Sequence, residues 1–299
     1  MSHIIDEILK LKKEKKAIIL AHSYQRPEIY DVADFIGDSL KLCQKAANTN
    51  ADIIVFCGVH FMAESACLLN PDKKVIVPFI DALCPMADMV DVEDLRDLRK
   101  KYPKAKVVCY VNTSAAVKAE SDICCTSSNA VQVVSSLDSE EIIFVPDKNL
   151  AAYVQRNVPN KKIIPSKGFC PVHDSITKQY FLKIRKTHPN AKIIAHPECR
   201  PEIIDLADHI SSTNGMLQVA KNDSSDEFFI LTECGMISRL SREFPLKKFY
   251  GLGNMCFNMK KNTIESVLEC LQKEKEEIKV DKNVAIKAKA TLDKMLEIS

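Results

Sequence analysis

The sixteen residues AHSYQRPEIYDVADFI, Ala21 to Ile36, return almost intact as AHPECRPEIIDLADHI, Ala195 to Ile210. Ten of the sixteen positions are identical at a fixed offset of 174. That offset is close to two equal steps, and a weaker middle copy lies between them. PKAKVVCYVNTSAAVKAESDICCTS, Pro103–Ser127, aligns with the first copy at an offset of 88, where Tyr110 falls on His22, Asp122 on Asp34 and Ser127 on Ser39.

The flanking sequence repeats in kind. EILKLKKEKKAIILAH, DLRDLRKKYPKAKVVCY and YFLKIRKTHPNAKIIAH each show apolar residues at helical spacing, a basic turn, then a buried strand. Further on, DIIVFCGVHFMAE, EIIFVPDKNLAAYV and EFFILTECGMISRL each read as strand, polar turn and helix. A lysine pair then opens KKVIVPFIDALCP at Lys73, KKIIPSKGFCP at Lys161 and KKFYGLGNMCFN at Lys247. Each of these strands ends in a loop with one cysteine: Cys84, Cys170 and Cys256, spaced 86 and 86.

Short β-branched runs alternating with helices predict parallel sheets covered on both faces. A period of 86 residues is long for a solenoid. The expected fold is therefore α/β: three homologous αβα three-layer domains with small parallel sheets, set with pseudo-threefold symmetry around a central active site. The expected boundaries are 1–87, 88–173 and 174–260, followed by a C-terminal helical segment, 261–299. In parallel sheets function gathers at the loops after strand C-termini. Here those loops carry His22 and Tyr24, Tyr110 and Asn112, His196 and Glu198, and the three cysteines.

Composition narrows the class. The apolar fraction of 46% and charged fraction of 27% are those of a soluble globular chain. A net charge of +2 gives no bulk argument for nucleic acid or acidic membranes. No apolar run approaches the ~18 residues of a membrane span, and MSHIIDEILKLKKEKK lacks a signal peptide's apolar region. KLKKEKK and KEKEEIK read as solvated helix faces. A cytoplasmic protein is expected. Its twelve cysteines are then not a disulfide framework. Cys43, Cys57, Cys67, Cys109 and Cys270 fit core packing. Cys124, Cys125, Cys199 and Cys234 are expected in loops but break the 86-residue register, so they are left outside the site. The vicinal pair Cys124–Cys125 reads as strand-end packing in preference to a redox pair.

Cys84, Cys170 and Cys256 remain. Soft thiolates suit zinc or iron–sulfur clusters. Structural zinc takes four ligands, usually with local pairs, and no CxxC occurs in the chain. Three lone cysteines fit a 4Fe–4S cluster with one open iron, a Lewis acid. After the first strand of each unit comes a second polar turn, GDSLKL, TSSNAV and SSTNGM, expected to cap a helix and bind an anion. Ser39, Ser127 and Thr213 are the equivalent members, and three such turns suggest a multiply anionic substrate.

AHSYQ, DVADFIGDSL, FMAE, NPDKKVIVP, CPMADM, YVN, CPVH, AHPEC, TECGMI and NMKKNT occur in that order, and with them the chain resembles the quinolinate synthase family along nearly its whole length. The resemblance implies that iminoaspartate condenses with dihydroxyacetone phosphate to quinolinate, with loss of phosphate and water, on the way to NAD. It implies a functional link to an enzyme that produces iminoaspartate, and an oxygen-sensitive 4Fe–4S cluster on Cys84, Cys170 and Cys256. His22, Tyr24, Tyr110, Asn112, His196 and Glu198 would line the pocket. Ser39, Ser127, Ser212 and Thr213 would bind substrate carboxylates or phosphate. Glu198 would act as general base and Tyr24 as proton donor or substrate orienter. His22 and His196 would hydrogen-bond substrate oxygens.

His60 and His173 are expected to support the pocket from behind, and His3, His188 and His209 to lie on the surface. AHSYQRPEIY is a candidate to move with substrate. The competing readings are an iron–sulfur hydro-lyase of the aconitase kind, a non-enzymatic iron–sulfur sensor and a zinc-stabilised scaffold.

Overall fold

The computed structural model describes residues 2–298. It contains three four-stranded sheets, each parallel throughout. The first holds β1 (Ala17–His22), β2 (Phe35–Gly37), β3 (Ile53–Cys57) and β4 (Lys74–Ile76). The second holds β5 (Lys106–Tyr110), β6 (Ile123–Cys125), β7 (Glu141–Val145) and β8 (Lys162–Pro165). The third holds β9 (Lys192–Ala195), β10 (His209–Ile210), β11 (Glu227–Leu231) and β12 (Lys248–Gly251). The strand orders are β2-β1-β3-β4, β6-β5-β7-β8 and β10-β9-β11-β12, the same topology three times. Register repeats as well: Leu20 pairs with Phe35, Val108 with Ile123 and Ile194 with His209.

The central strands are continuous apolar runs because both faces are covered. In the first sheet Ile19, Ala21, Val55 and Cys57 face a layer that includes Ile8, Val267 and Leu271. Leu20, Ile54 and Phe56 face the other way, with Leu42, Met62 and Ala66. Alternate residues of one strand thus enter two cores, as a period of two requires. The third sheet divides likewise, Phe228 and Ile230 to one side, Phe229 and Leu231 to the other.

The repeated polar residues hold these layers in register. Asp34, Asp122 and Asp208 each accept a backbone N–H from the neighbouring strand, of Ile19 (2.7 Å), Val107 (2.8 Å) and Ile193 (2.7 Å). Each also meets a cation: Lys12 (2.9 Å), Arg99 (2.9 Å) and Arg185 (2.8 Å). The first lysine of each pair donates to a carbonyl at the end of a preceding helix, Lys73 to Thr49, Lys161 to Leu137 and Lys247 to Asp223.

Two features differ from the expectation. The edge strands β2, β6 and β10 fall in segments with no strand signal, since two or three residues are too few to show alternation. Cys124 and Cys125 lie in β6, fully buried, rather than in a loop; helix Lys282–Ile298 covers them and brings Thr291 Oγ1 to 3.2 Å from Cys124 Sγ. Cys199 sits in a turn but is also fully buried. The C-terminal helices complete existing layers: Ile264–Lys273 packs beside Ser2–Glu14 on the first sheet, and Lys282–Ile298 packs on Ala115–Ala119, His60–Leu69 and β6. Among the described residues no helix is long and apolar enough to cross a membrane.

Candidate active site

One cavity is lined by residues from the loops of all three sheets. His22, Tyr24, Ser39 and Cys84 come from the first unit, Tyr110, Asn112, Ser127 and Cys170 from the second, and His196, Glu198, Thr213 and Cys256 from the third. Ser212 does not line it. Its Oγ caps helix Thr213–Asn222 by accepting the Gly215 N–H at 3.3 Å.

The caps differ from their sequence reading. Ser39 and Thr213 are the first residues of their helices, and Asp38 and Ser212 are the caps. In the middle unit the helix starts only at Ala130, so Ser127 lies in the turn before it, where Asn129 Oδ1 accepts the Thr126 N–H at 2.7 Å. The three turns touch. Ser128 Oγ donates to Asp38 Oδ2 (2.8 Å) and lies 2.9 Å from Ser212 Oγ.

Strand ends place the acid–base groups. β1 ends at His22, and His196 follows β9. Each ring's Nδ1 accepts the backbone N–H two residues on, of Tyr24 at 3.1 Å and Glu198 at 3.3 Å. With Nδ1 an acceptor, the neutral ring carries its proton on Nε2 and is a donor there. Burial first, then Lys260, lowers the His22 pKa to about 3. Burial and then His173 do the same for His196, also to about 3. Both rings are neutral at pH 7. Burial raises Tyr24 and Tyr110 well above the phenol range, so both are hydroxyl donors. Tyr24 Oη lies 2.6 Å from Thr232 Oγ1 and accepts from Thr213 Oγ1 at 3.1 Å.

Glu198 is 3% exposed. Burial opposes its ionisation, but His173, His196 and the Tyr110 hydroxyl outweigh it and hold its pKa at about 2. Oε1 accepts from Tyr110 Oη at 2.5 Å, and Oε2 lies 2.8 Å from His173 Nδ1. Asn112 lines the cavity, and its Oδ1 is buried without a protein partner.

His173 was expected behind the pocket. It lines the cavity, stacks on His196 with centroids 4.4 Å apart, and puts Nε2 2.7 Å from Thr232 Oγ1. Its spacing three residues after Cys170 in CPVH, one helical turn, was the available signal. Glu233, Asp38 and Ser128 also line the cavity and were not singled out. His60 stays outside it, 3.8 Å from Glu64.

The three cysteines share a local design. Each shortly precedes a short helical segment, Ala87–Met89, Pro171–Asp174 or Met259–Lys261. Backbone N–H groups in and beside that segment favour the thiolate form: Ala87 and Met86 at Cys84, His173 at Cys170, Met259 and Asn258 at Cys256. Burial nevertheless dominates and pushes Cys84 up to about 12, Cys170 well above the usual range, and Cys256 upward. A buried thiol that high ionises only beside a cation, and a metal centre supplies one. The donor set therefore fits a metal cofactor. Cys170, His173 and Glu198 further offer ligand atoms within 4.8 Å of one another.

Fold and site together define an α/β enzyme whose pocket joins metal-competent thiols to carboxylates and a ring of neutral donors. Comparison with known proteins agrees. Residues 6–297 match the family described as Quinolinate synthetase A protein. Quinolinate synthase of Methanosarcina barkeri is 55% identical, over 99% of this chain and 98% of its own length. Those of Alkaliphilus metalliredigens and Thermodesulfovibrio yellowstonii are 54% and 51% identical, covering 99% and 100% of this chain and 99% of each relative. The chain belongs to the quinolinate synthase family.

Proposed function

We propose that the protein condenses iminoaspartate with dihydroxyacetone phosphate to quinolinate, releasing phosphate and water, in de novo NAD synthesis. The observation that carries this reading is the single cavity that gathers three cysteines, one from each unit, beside Glu198 and Tyr24. Cys84, Cys170 and Cys256 would hold a 4Fe–4S cluster. When bound, it supplies Lewis acidity for the loss of water.

The chain's own groups divide the remaining work. Nε2–H of His22 and of His196 donates to substrate carboxylate or carbonyl oxygens. The turns at Ser39, Ser127 and Thr213 take the phosphate or a carboxylate, through hydroxyls and free helix N–H groups. Ser212 acts from behind them as a cap. Tyr24, a neutral phenol held by Thr213 and Thr232, donates a proton or orients the substrate. Glu198 accepts one. A carboxylate with a pKa of about 2 is a weak base alone, and His173 Nδ1 stands 2.8 Å from it.

The proposal keeps three units, 1–87, 88–173 and 174–260, with 261–299 as added helices. An enzyme that makes iminoaspartate would supply the substrate. Twelve free cysteines suit the reducing cytosol. A single zinc ion on Cys170, His173 and Glu198 is the second reading, favoured by their spacing. Iron, acid-labile sulfide and zinc per chain separate the two after anaerobic purification. About four iron and four sulfide, lost in Cys84→Ala, Cys170→Ala and Cys256→Ala, support the synthase. Zinc, or iron retained in any one variant, overturns the cluster. Quinolinate formed from the two substrates excludes the hydro-lyase and the sensor.

A further inference from the structure

The helix after each second central strand opens in the same way. Its leading residue donates a backbone N–H to the carbonyl two residues before the cysteine: His60 to Ala82 (2.8 Å), Lys148 to Gly168 (2.8 Å) and Cys234 to Asn254 (2.7 Å). These bonds make the preceding positions, Val59, Asp147 and Glu233, structural equivalents. Two of the three are carboxylates, and both are buried, at 0% and 1% exposure.

Each carboxylate spans a gap. One oxygen holds the start of its own helix: Leu150 N–H donates to Asp147 Oδ1 (2.7 Å), and Gly235 N–H to Glu233 Oε2 (2.7 Å). The other holds the cysteine opposite: Cys170 N–H donates to Asp147 Oδ2 (3.0 Å), and Cys256 N–H to Glu233 Oε1 (3.2 Å). A rigid two-oxygen group bonded at both ends fixes the cysteine backbone against the helix. Val59 is buried in the first unit and has no acceptor to offer Cys84. Glu233 is anchored further by Lys260, whose Nζ lies 3.1 Å from Oε1 and also donates to the Tyr24 carbonyl.

We propose that Asp147 and Glu233 are positioning residues for the metal centre, which hold Cys170 and Cys256 at ligating distance and leave the Cys84 corner as the one free to yield. This rests on the reading of the three cysteines as cluster ligands. Neither carboxylate is asked to touch the metal. Their role is to set where two of the three sulfurs stand before the metal arrives.

Two measurements test it. The first is amide hydrogen exchange at residue resolution on the metal-free chain. Cys170 and Cys256 amides should exchange at least tenfold more slowly than the Cys84 amide. In Asp147→Ala only Cys170 should lose that protection, and in Glu233→Ala only Cys256. The second is iron release from the reconstituted chain to a ferrous chelator, followed by absorbance. Both alanine variants should release iron at least tenfold faster than wild type. Asp91→Ala, which removes the cap of helix Val92–Lys101, should stay within twofold. Asp147→Asn and Glu233→Gln, which break the two-ended bond while keeping one acceptor oxygen, carry the same expectations should alanine prevent folding. Equal exchange at all three cysteines, or release within twofold of wild type in both variants, overturns the proposal and leaves the cluster reading standing. A wild-type chain that takes up no iron overturns the cluster reading, and this role with it.

Discussion

Glu198 is buried with both of its oxygens engaged, and its setting dictates how it fails. Its oxygens engage Tyr110 and His173, so Glu198→Gln keeps the shape and removes the charge. Turnover should fall at least a hundredfold, the lower range for a lost general base, while iron content stays at the wild-type level. A variant that keeps its activity would refute the base role. His22 yields a pH prediction. Its folded pKa of about 3 lies below the unfolded value of about 6.5. Between these values the unfolded chain binds the extra proton, so acid favours unfolding. Stability of the metal-free chain should therefore fall as pH drops from about 6.5 toward 3, by at most about 1.4 kcal/mol per pH unit from this ring. Urea unfolding across that window should show a shallower slope in His22→Gln.

At the scale of the element, helix Lys282–Ile298 makes the clearest prediction. It buries Ala288, Thr291, Leu292 and Met295 against the second unit and lies over Cys124. Leu292→Ala should cost about 3 kcal/mol by denaturant titration, and should open Cys124 and Cys125 to a thiol reagent that leaves them untouched in wild type. The sequence made β1, β3 and β4 and their repeats legible because a strand covered on both faces is an unbroken apolar run. It hid β2, β6 and β10, since an edge strand of two or three residues has no period. The segment ESDICCTS around Cys124 reads as a loop only because its cover arrives from helix Lys282–Ile298, far along the chain. The caps misled for a different reason: in DS and SST either polar residue can cap, and only backbone geometry chooses Asp38 and Ser212.

The whole molecule is where equal spacing turned into convergence. Three cysteines 86 residues apart line one cavity because three sheets of one topology present the same strand end to it. The cross-unit partners stayed illegible. His173 beside Glu198, Lys260 on the Tyr24 carbonyl and Ser128 between Asp38 and Ser212 are meetings of different repeats, and no spacing within a repeat encodes them. Ser128 isolates the consequence. It joins the polar turns of all three units through one hydroxyl, yet it has no part in the proposed proton transfers. Ser128→Ala removes a bond to a buried carboxylate and leaves Asp38 one partner short, a loss of about 1–3 kcal/mol. The turns at Ser39 and Thr213 should then spread, while Glu198, Tyr24 and the cysteine loops keep their own supports. Steady-state kinetics on the iron-loaded chain should show KM for the phosphorylated substrate rising several-fold with kcat nearly unchanged. A fall in kcat with KM constant would mean that the junction shapes the reacting centre and not the anion site.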